Sequence, residues 1–197
     1  MNQVVILYLF DGLSDWEASY VLPELRKAGF TVKTAADSKA AVETMGGLKV
    51  IPDLTLPELE SQRPALLILP GGTAWDEPTQ NADIVQLVPR LLEQQVKIGA
   101  ICGAVTVLAR LGVLDDINHT SNHLALLKAL APAYKGEHLH SNRLAESDGN
   151  IITASGIGAM EFAHKILLAL DVYDEEKANQ WLDFFKNGVF VEWIASG

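Results

Sequence analysis

The chain contains one cysteine, Cys102, in the segment "KIGAICGAVTVLARLGVL" at residues 97–114. A strand pattern precedes it and a helical pattern follows, so Cys102 occupies the turn between them. A helix beginning near Gly103 directs free N–H groups at the sulfur, which favours the thiolate. Small neighbours suit such a strained turn: Gly99, Ala100, Gly103 and Ala104. We therefore predict a nucleophilic thiol; the alternative is a buried structural cysteine.

A glycine pair closes another apolar run in "LPGGTAW", residues 69–75. Glycine lets a backbone N–H group approach a ligand closely. The N–H groups of Gly72 and Gly103 are therefore candidates for an oxyanion hole around a carbonyl attacked by Cys102. The alternative for the glycine pair is an ordinary turn. Trp16 and the nearby Trp75 could line a pocket or serve packing, and we expect packing.

Glu17 is the candidate acidic partner of the thiol, in "LSDWEASYVLPELRKAGF". Ser14 or Asp15 can cap a helix, which places Glu17 in the first helical turn near the carboxyl edge of the first strand. An acidic residue there also has a simpler explanation, favourable interaction with the helix dipole. An ionised Glu17 would oppose a thiolate, so a reactive Cys102 requires Glu17 to be protonated by burial.

Histidines supply the remaining candidates. His123, in "INHTSNHLALLK", opens a predicted helix and could exchange protons with a substrate; the alternative is a capping or surface role. His138 and His140 lie two residues apart on a possible strand and would share a face. We expect both to be surface residues, because only Glu137 is an adjacent further ligand and it points the other way. No metal or cofactor is expected.

Strand patterns alternate with helical patterns along the whole chain, which indicates parallel strands joined by helical crossovers. "ALLILP" and "VKIGAI" are continuously apolar, as expected of central strands. "VETMGGLKVIPD" predicts a hairpin that forms a sheet edge rather than part of a site. Short strands are expected between residues 134 and 154 around an Asp148-Gly149 turn. Helices are predicted at 14–28, 81–94, 103–111, 158–170 and 174–186.

Length and charge restrict the possible partners. The 197 residues, 49% hydrophobic and 20% charged, fit a single domain spanning 1–197. A net charge of −10 disfavours nucleic acid and anionic membranes. One cysteine cannot form an internal disulfide, and no signal-peptide or membrane-span pattern is present, so we expect a cytoplasmic protein.

Taken together, these motifs resemble the ThiJ/PfpI superfamily, which includes the parkinsonism-associated deglycase, within the class I glutamine amidotransferase-like fold. The resemblance rests on Glu17, "ILPGG", "AICGA", "HTSNH" and "DGNIITASGIGAMEFA". It implies a flavodoxin-like α/β sandwich with a mostly parallel sheet, and a homodimer. It also implies catalytic roles for Cys102, Glu17 and His123, and oxyanion positions at Gly72 and Gly103.

Several departures narrow the functions that the resemblance implies. Peptidase-like members carry His directly after the cysteine, where this chain has Gly103, and glutamine amidotransferases carry a late His-x-Glu triplet that residues 150–197 lack. Isonitrile hydratases have Asp in place of Glu17. Deglycase and glyoxalase members continue Ala-Gly-Pro after the cysteine, whereas this chain continues Gly-Ala-Val.

Two hypotheses follow for the role of Cys102. In the first, the chain is an enzyme, a hydrolase or lyase, whose Cys102 thiolate attacks a small carbonyl or amide compound. In the second, it is a redox-sensing stress-response protein in which Cys102 is oxidised. A fold that retains a vestigial site is the third possibility.

Overall fold

The computed structural model describes residues 3–195, and its centre is a seven-stranded sheet. The strand order is β5-β2-β1-β6-β7-β9-β8, and every neighbouring pair is parallel except β8 with β9. The strands of this sheet are β1 (Val4–Tyr8), β2 (Thr31–Ala36), β5 (Leu54–Thr55), β6 (Leu66–Leu69), β7 (Lys97–Ile101), β8 (Ala145–Asp148) and β9 (Ile151–Ala154).

Helices surround the sheet, and the predicted flavodoxin-like α/β fold is confirmed. The four residues of β6 are fully buried, which explains why that strand is apolar throughout. The helices are α1 (Val21–Lys27), α2 (Leu56–Gln62), α3 (Ala82–Glu93), α4 (Val105–Arg110), α5 (Leu124–Leu130), α6 (Ala159–Ala169), α7 (Glu175–Asn187) and α8 (Glu192–Ala195). Within residues 3–195, no helix is long and apolar enough to cross a membrane.

The topology brings several strand ends to one edge of the sheet. From β1 the chain proceeds to β2 on one side and later returns to β6 on the other, so the strand order reverses between β1 and β6. Ligands in open parallel sheets bind at such a reversal, beyond the carboxyl ends of the strands. The register pairs Leu69 with Ala100 and Ile101 with Ala154. The residues that follow β6, β7 and β9 therefore meet at this edge.

The predicted helix at 14–28 begins later than expected, at Val21. The preceding residues are held by hydrogen bonds to distant segments instead of by a helical ladder. The Ser14 N–H donates to the Gly71 carbonyl over 3.0 Å, and the Leu13 carbonyl accepts from the Met45 N–H over 2.8 Å. Asp15 accepts from the Gly46 N–H over 2.5 Å. Neither Ser14 nor Asp15 caps a helix, and Glu17 lies in irregular turns before α1.

The predicted hairpin is present, formed by β3 (Val42–Glu43) and β4 (Lys49–Val50), which pair antiparallel. The expectation that it forms a sheet edge is wrong. It makes a separate two-stranded sheet, and the edge strand beside β2 is β5. Its turn is fastened to residues 13–15 by the bonds of Met45 and Gly46, which brings the hairpin to the site edge.

The later predicted elements match the structure closely. The antiparallel pair β8–β9 turns through Gly149, which has a φ of +55°, and α6 and α7 occupy the expected helical segments. The possible strand through His138 is instead a short 3-10 turn, Gly136–Leu139.

Candidate active site

Cys102 lies directly after β7, at the edge where the strand ends meet. Its φ is +62°, in the left-handed region that residues with a side chain rarely adopt. A 3-10 turn, Cys102–Ala104, follows and leads into α4. Such strained positions are concentrated at functional sites. The turn leaves the Cys102 side chain half-buried.

Glu17 is fully buried beside this thiol. Its Oε2 accepts a hydrogen bond from the Gly71 N–H, and the Cys102 thiol and the Ser14 hydroxyl lie against its carboxyl group. Burial raises the Glu17 pKa from its ordinary 4.5 to about 7, against the opposing effects of these three groups. The sequence analysis required a Glu17 that is readily protonated, and the burial that it invoked is present.

Glycine residues make this close packing of thiol and carboxyl possible. A Cβ on Gly71 would lie 2.5 Å from the Cys102 Cβ and 2.7 Å from both Glu17 carboxylate oxygens. Gly156, just after β9, approaches from the other side, where a Cβ would lie 2.9 Å from the Cys102 Sγ. A side chain at either position would displace the pair. The sequence analysis did not single out Gly71 or Gly156.

The Cys102 pKa is raised, so the N–H groups that were expected to favour the thiolate are outweighed. Burial is the largest cause, and the negative charge and hydrogen bonding of Glu17 add to it. Hydrogen bonds from the Asn122 side chain and the Gly103 N–H act in the opposite direction. α4 contains only six residues, and its first residue follows the 3-10 turn, so its dipole is weak at the sulfur.

Asn122 is the residue whose side chain reaches the sulfur from the far wall. Its Nδ2 donates to the Cys102 Sγ over 3.2 Å, and its Oδ1 accepts from the Gly156 N–H over 2.8 Å. The amide thus connects the sulfur to the segment after β9. Sequence reasoning selected the following residue, His123, because histidine is the usual proton carrier. The sequence did contain a signal for Asn122, because an amide side chain directly before His123 can donate a hydrogen bond to a thiolate without changing its own protonation state.

His123 begins α5 as its N-cap, and its Nδ1 accepts from the Ala125 N–H over 3.2 Å. This is the capping role that the sequence analysis left open. His123 is exposed and also lines the pocket above Cys102. A catalytic role for it stays a prediction.

The two other candidate histidines lie in different environments. His138 is exposed, as predicted, but His140 is half-buried, so the surface prediction is wrong for it. The His140 Nε2 lies 2.9 Å from the Ser121 Oγ, and its ring packs edge-on against that of buried His119. In the described part of the chain, no group of three or more His, Cys, Asp or Glu residues could hold a metal ion.

Gly72 and Gly103 lie close together beside the turn that carries Cys102. Gly72 has a φ of +152°, and a Cβ there would lie 2.8 Å from the Phe10 ring. A Cβ on Gly103 would lie 2.9 Å from the Gly72 carbonyl oxygen. Both residues line the pocket, and the Gly103 N–H bonds to the sulfur. Their assignment to an oxyanion hole stays a prediction.

A pocket of about 270 Å³ opens above the sulfur; we call it the Cys102 pocket. Trp16 lines it, is half-exposed, and donates to the Gly156 carbonyl over 3.3 Å. The expectation that Trp16 only packs is therefore wrong. Trp75 is buried against Phe10 with ring centroids 5.1 Å apart, so the packing prediction holds for it.

The comparisons with known proteins agree with this arrangement. The sequence profile of the DJ-1/PfpI family matches residues 3–169. The chain belongs to the DJ-1/PfpI family. The resemblance stated from the motifs is confirmed, and Glu17, Gly71, Cys102 and Asn122 all lie inside the matched range.

Curated relatives carry several different functional names. The chain is 38% identical over 185 residues to a Bacillus subtilis protein named "Uncharacterized protease YoaZ", covering 90% of this chain and 88% of that one. It is 31% identical to the Caenorhabditis elegans "Glutathione-independent glyoxalase DJR-1.2", covering 80% and 82%. A solved ThiJ/PfpI family structure from Bacillus anthracis superposes with a TM-score of 0.88 at 35% identity, covering 96% and 92%.

We predict that Glu17→Gln stabilises the protein above neutral pH. Because the folded protein raises the Glu17 pKa from 4.5 to about 7, it binds a proton more tightly than the unfolded chain. Wild-type stability therefore falls as pH rises from about 4.5 to 7, and the loss persists above 7. Glutamine removes this loss, about 3 kcal/mol at about 1.4 kcal/mol for each pH unit. Urea unfolding at pH 4 and pH 8 measures the difference.

The control is Glu77→Gln, which removes an exposed carboxylate outside the Cys102 pocket. It should keep the wild-type dependence of stability on pH. An equal effect of Glu17→Gln at pH 4 and pH 8 would contradict the raised pKa.

We predict that Asn122→Ala shifts the alkylation midpoint of Cys102 upward by about one pH unit. The lost hydrogen bond stabilises the thiolate by about 1.5 kcal/mol, as is typical of bonds to charged groups. Iodoacetamide labelling followed by intact mass reports on Cys102 alone, because it is the only cysteine. Asn118→Ala is the matched control, since Asn118 bonds Asp148 away from the pocket. An unchanged midpoint in Asn122→Ala would refute the contact's role.

Proposed function

We propose that the chain is a cysteine-dependent enzyme in which Cys102 attacks a small carbonyl or amide compound and Glu17 takes up the thiol proton. The observation that carries the proposal is the buried carboxyl of Glu17 beside the thiol, with a pKa of about 7. A general base is most effective when its pKa lies near the working pH. A thiol with a raised pKa then becomes nucleophilic as its proton moves to Glu17.

The addition step balances within the site and the substrate. With an aldehyde, the sulfur forms a bond to the carbonyl carbon, the C=O π pair moves to oxygen, and the thiol proton passes to Glu17. Glu17 then returns that proton to the oxygen, which gives a hemithioacetal without any oxidant or reductant. The N–H groups of Gly72 and Gly103 are the proposed stabilisers of the negative oxygen.

Pocket size and family membership support a small substrate. A volume of about 270 Å³ suits a small ligand better than a folded polypeptide. Relatives are named as glyoxalase, deglycase and protease, so family membership alone leaves the reaction open. Methylglyoxal and small amides are the compounds to examine first. The homodimer stays a prediction from the resemblance.

A redox sensor is the second candidate function, and it is favoured by the position of the half-buried Cys102 at the pocket, where peroxide can reach it. Cys102 is the only cysteine in the sequence, so a sulfenic acid formed there could not be resolved as an internal disulfide. Stoichiometric oxidation by low peroxide, with no turnover of either compound class, would favour the sensor. A thiol that does not react with peroxide at neutral pH would exclude it.

We predict that turnover requires one proton on the Cys102–Glu17 pair. Activity should rise with pH through about 7 as the first proton leaves and fall above the second pKa, which lies above the usual cysteine value. Cys102→Ala should abolish turnover, and Glu17→Gln should reduce it at least about a hundredfold, the usual scale of general base catalysis. Steady-state rates from pH 5 to 10 with methylglyoxal and with small amides measure this.

Alkylation distinguishes the effect of Glu17 on the Cys102 pKa from its role as the general base in turnover. Glu17→Gln removes a cause of the raised Cys102 pKa, so alkylation should become faster at pH 8 while turnover falls. His138→Asn is the surface control, and His123→Ala shows whether the N-cap histidine takes part. Turnover retained in Cys102→Ala or in Glu17→Gln would overturn the mechanism.

A further inference from the structure

The wall of the Cys102 pocket is largely apolar. Trp16 and Met45 line one side, and Leu126, Leu127 and Leu130 of α5 line another. Trp16, Met45 and Leu126 are each about half exposed to solvent. Apolar side chains that remain exposed around a concave site gain free energy when they cover an apolar group of a ligand. The wall therefore favours a substrate with an apolar substituent.

The pocket has few charged side chains. Asp76 is the one acidic residue among its described lining residues, and none of them is a lysine or arginine. The buried Glu17 adds negative charge below the sulfur whenever it is ionised. An anionic substrate would meet repulsion from Asp76, and no lysine or arginine side chain among the described residues lines the pocket to bind it.

Arg110 approaches this wall but is engaged in holding it together. Its Nε donates to the Leu130 carbonyl over 2.9 Å, and its two terminal nitrogens donate to the carbonyls of Trp75 and Asp76 over 2.8 and 3.1 Å. The guanidinium thus joins the end of α5 to the turn that carries Asp76. Three of its five N–H donors serve these carbonyls, and Arg110 does not line the pocket, so we assign it to holding the pocket's shape.

We infer that the substrates of the Cys102 pocket are neutral carbonyl compounds that carry an apolar substituent, and that Asp76 disfavours anionic ones. The inference rests on the proposed function of Cys102. It adds the substrate class. In it, α5 and the turn of the β3–β4 hairpin, which carries Met45, cover the apolar substituent while the carbonyl lies at the sulfur. Asp76 is a specificity-determining residue in this proposal, outside the addition step.

Two alkylating agents test the charge preference without any turnover. Iodoacetamide and iodoacetate alkylate a thiolate by the same displacement, in which the sulfur–carbon bond forms and iodide leaves. Only iodoacetate carries a charge. At low salt, the ratio of the amide rate to the acetate rate at Cys102 should exceed the ratio for N-acetylcysteinamide, a thiol with no charged group beside the sulfur. Asp76→Asn should lower the protein's ratio about threefold, which is the scale of one exposed unit charge acting through water at low salt.

Glu77→Gln is the matched control, because Glu77 is the next residue, is exposed, and does not line the pocket. It should keep the wild-type ratio. A ratio equal to that of N-acetylcysteinamide, or one unchanged by Asp76→Asn, overturns the role of Asp76.

Turnover tests the apolar preference. Isobutylglyoxal should be used with a higher kcat/KM than methylglyoxal, and glyoxylate should be the poorest of the three. Leu126→Ser should reduce the advantage of isobutylglyoxal over methylglyoxal several-fold, because the covered apolar area shrinks. Leu48→Ser is the control, since Leu48 is exposed but does not line the pocket. It should preserve that advantage.

The outcomes separate this inference from the proposed function. Turnover of methylglyoxal with no preference for isobutylglyoxal would overturn the inference and leave the enzyme intact. Charge-selective alkylation with no turnover of any carbonyl or amide would support the character of the pocket and overturn the proposed function.

Discussion

The burial of a carboxyl group against a thiol is the constraint on which the rest of this site depends. Glu17 has no exposed surface, and its pKa is about 7 as a result. An ionised carboxyl in such a place costs free energy, and so does a thiolate beside it. The two groups therefore titrate as a pair, and neither has an independent protonation state.

The surrounding backbone is arranged so that this pair can exist. Gly71 supplies the N–H that stabilises Glu17, and the space at its missing Cβ is filled by the Cys102 and Glu17 side chains. Cys102 adopts φ +62° so that its side chain can stand at the end of β7, above the carboxyl group. The left-handed backbone of Cys102 and the desolvation of Glu17 both cost free energy. The packing of the seven-stranded sheet beneath the site compensates for this cost.

Sequence patterns predicted the sheet and the position of Cys102 because both follow from the alternation of apolar runs and small residues. The irregular path of residues 11–20 could not be predicted this way. The Ser14 N–H bonds to Gly71, whereas the Gly12 N–H and the Leu13 carbonyl bond to the hairpin. These are tertiary contacts that no local pattern contains. For the same reason Glu17 was predicted to lie on a helix, whereas the helix begins only at Val21.

The choice between His123 and Asn122 shows what residue type alone leaves undecided. Both follow the same loop, and only the fold determines that the amide, not the imidazole, donates to the sulfur. The difference matters for charge. An amide contributes a donor but neither a proton nor a positive charge, so the one-proton form of the Cys102–Glu17 pair keeps its negative charge. In the proposed mechanism, this charge and that of Asp76, which lines the same pocket, both act against the approach of an anionic ligand. The charge that lets Glu17 accept the thiol proton would then also influence which substrates bind.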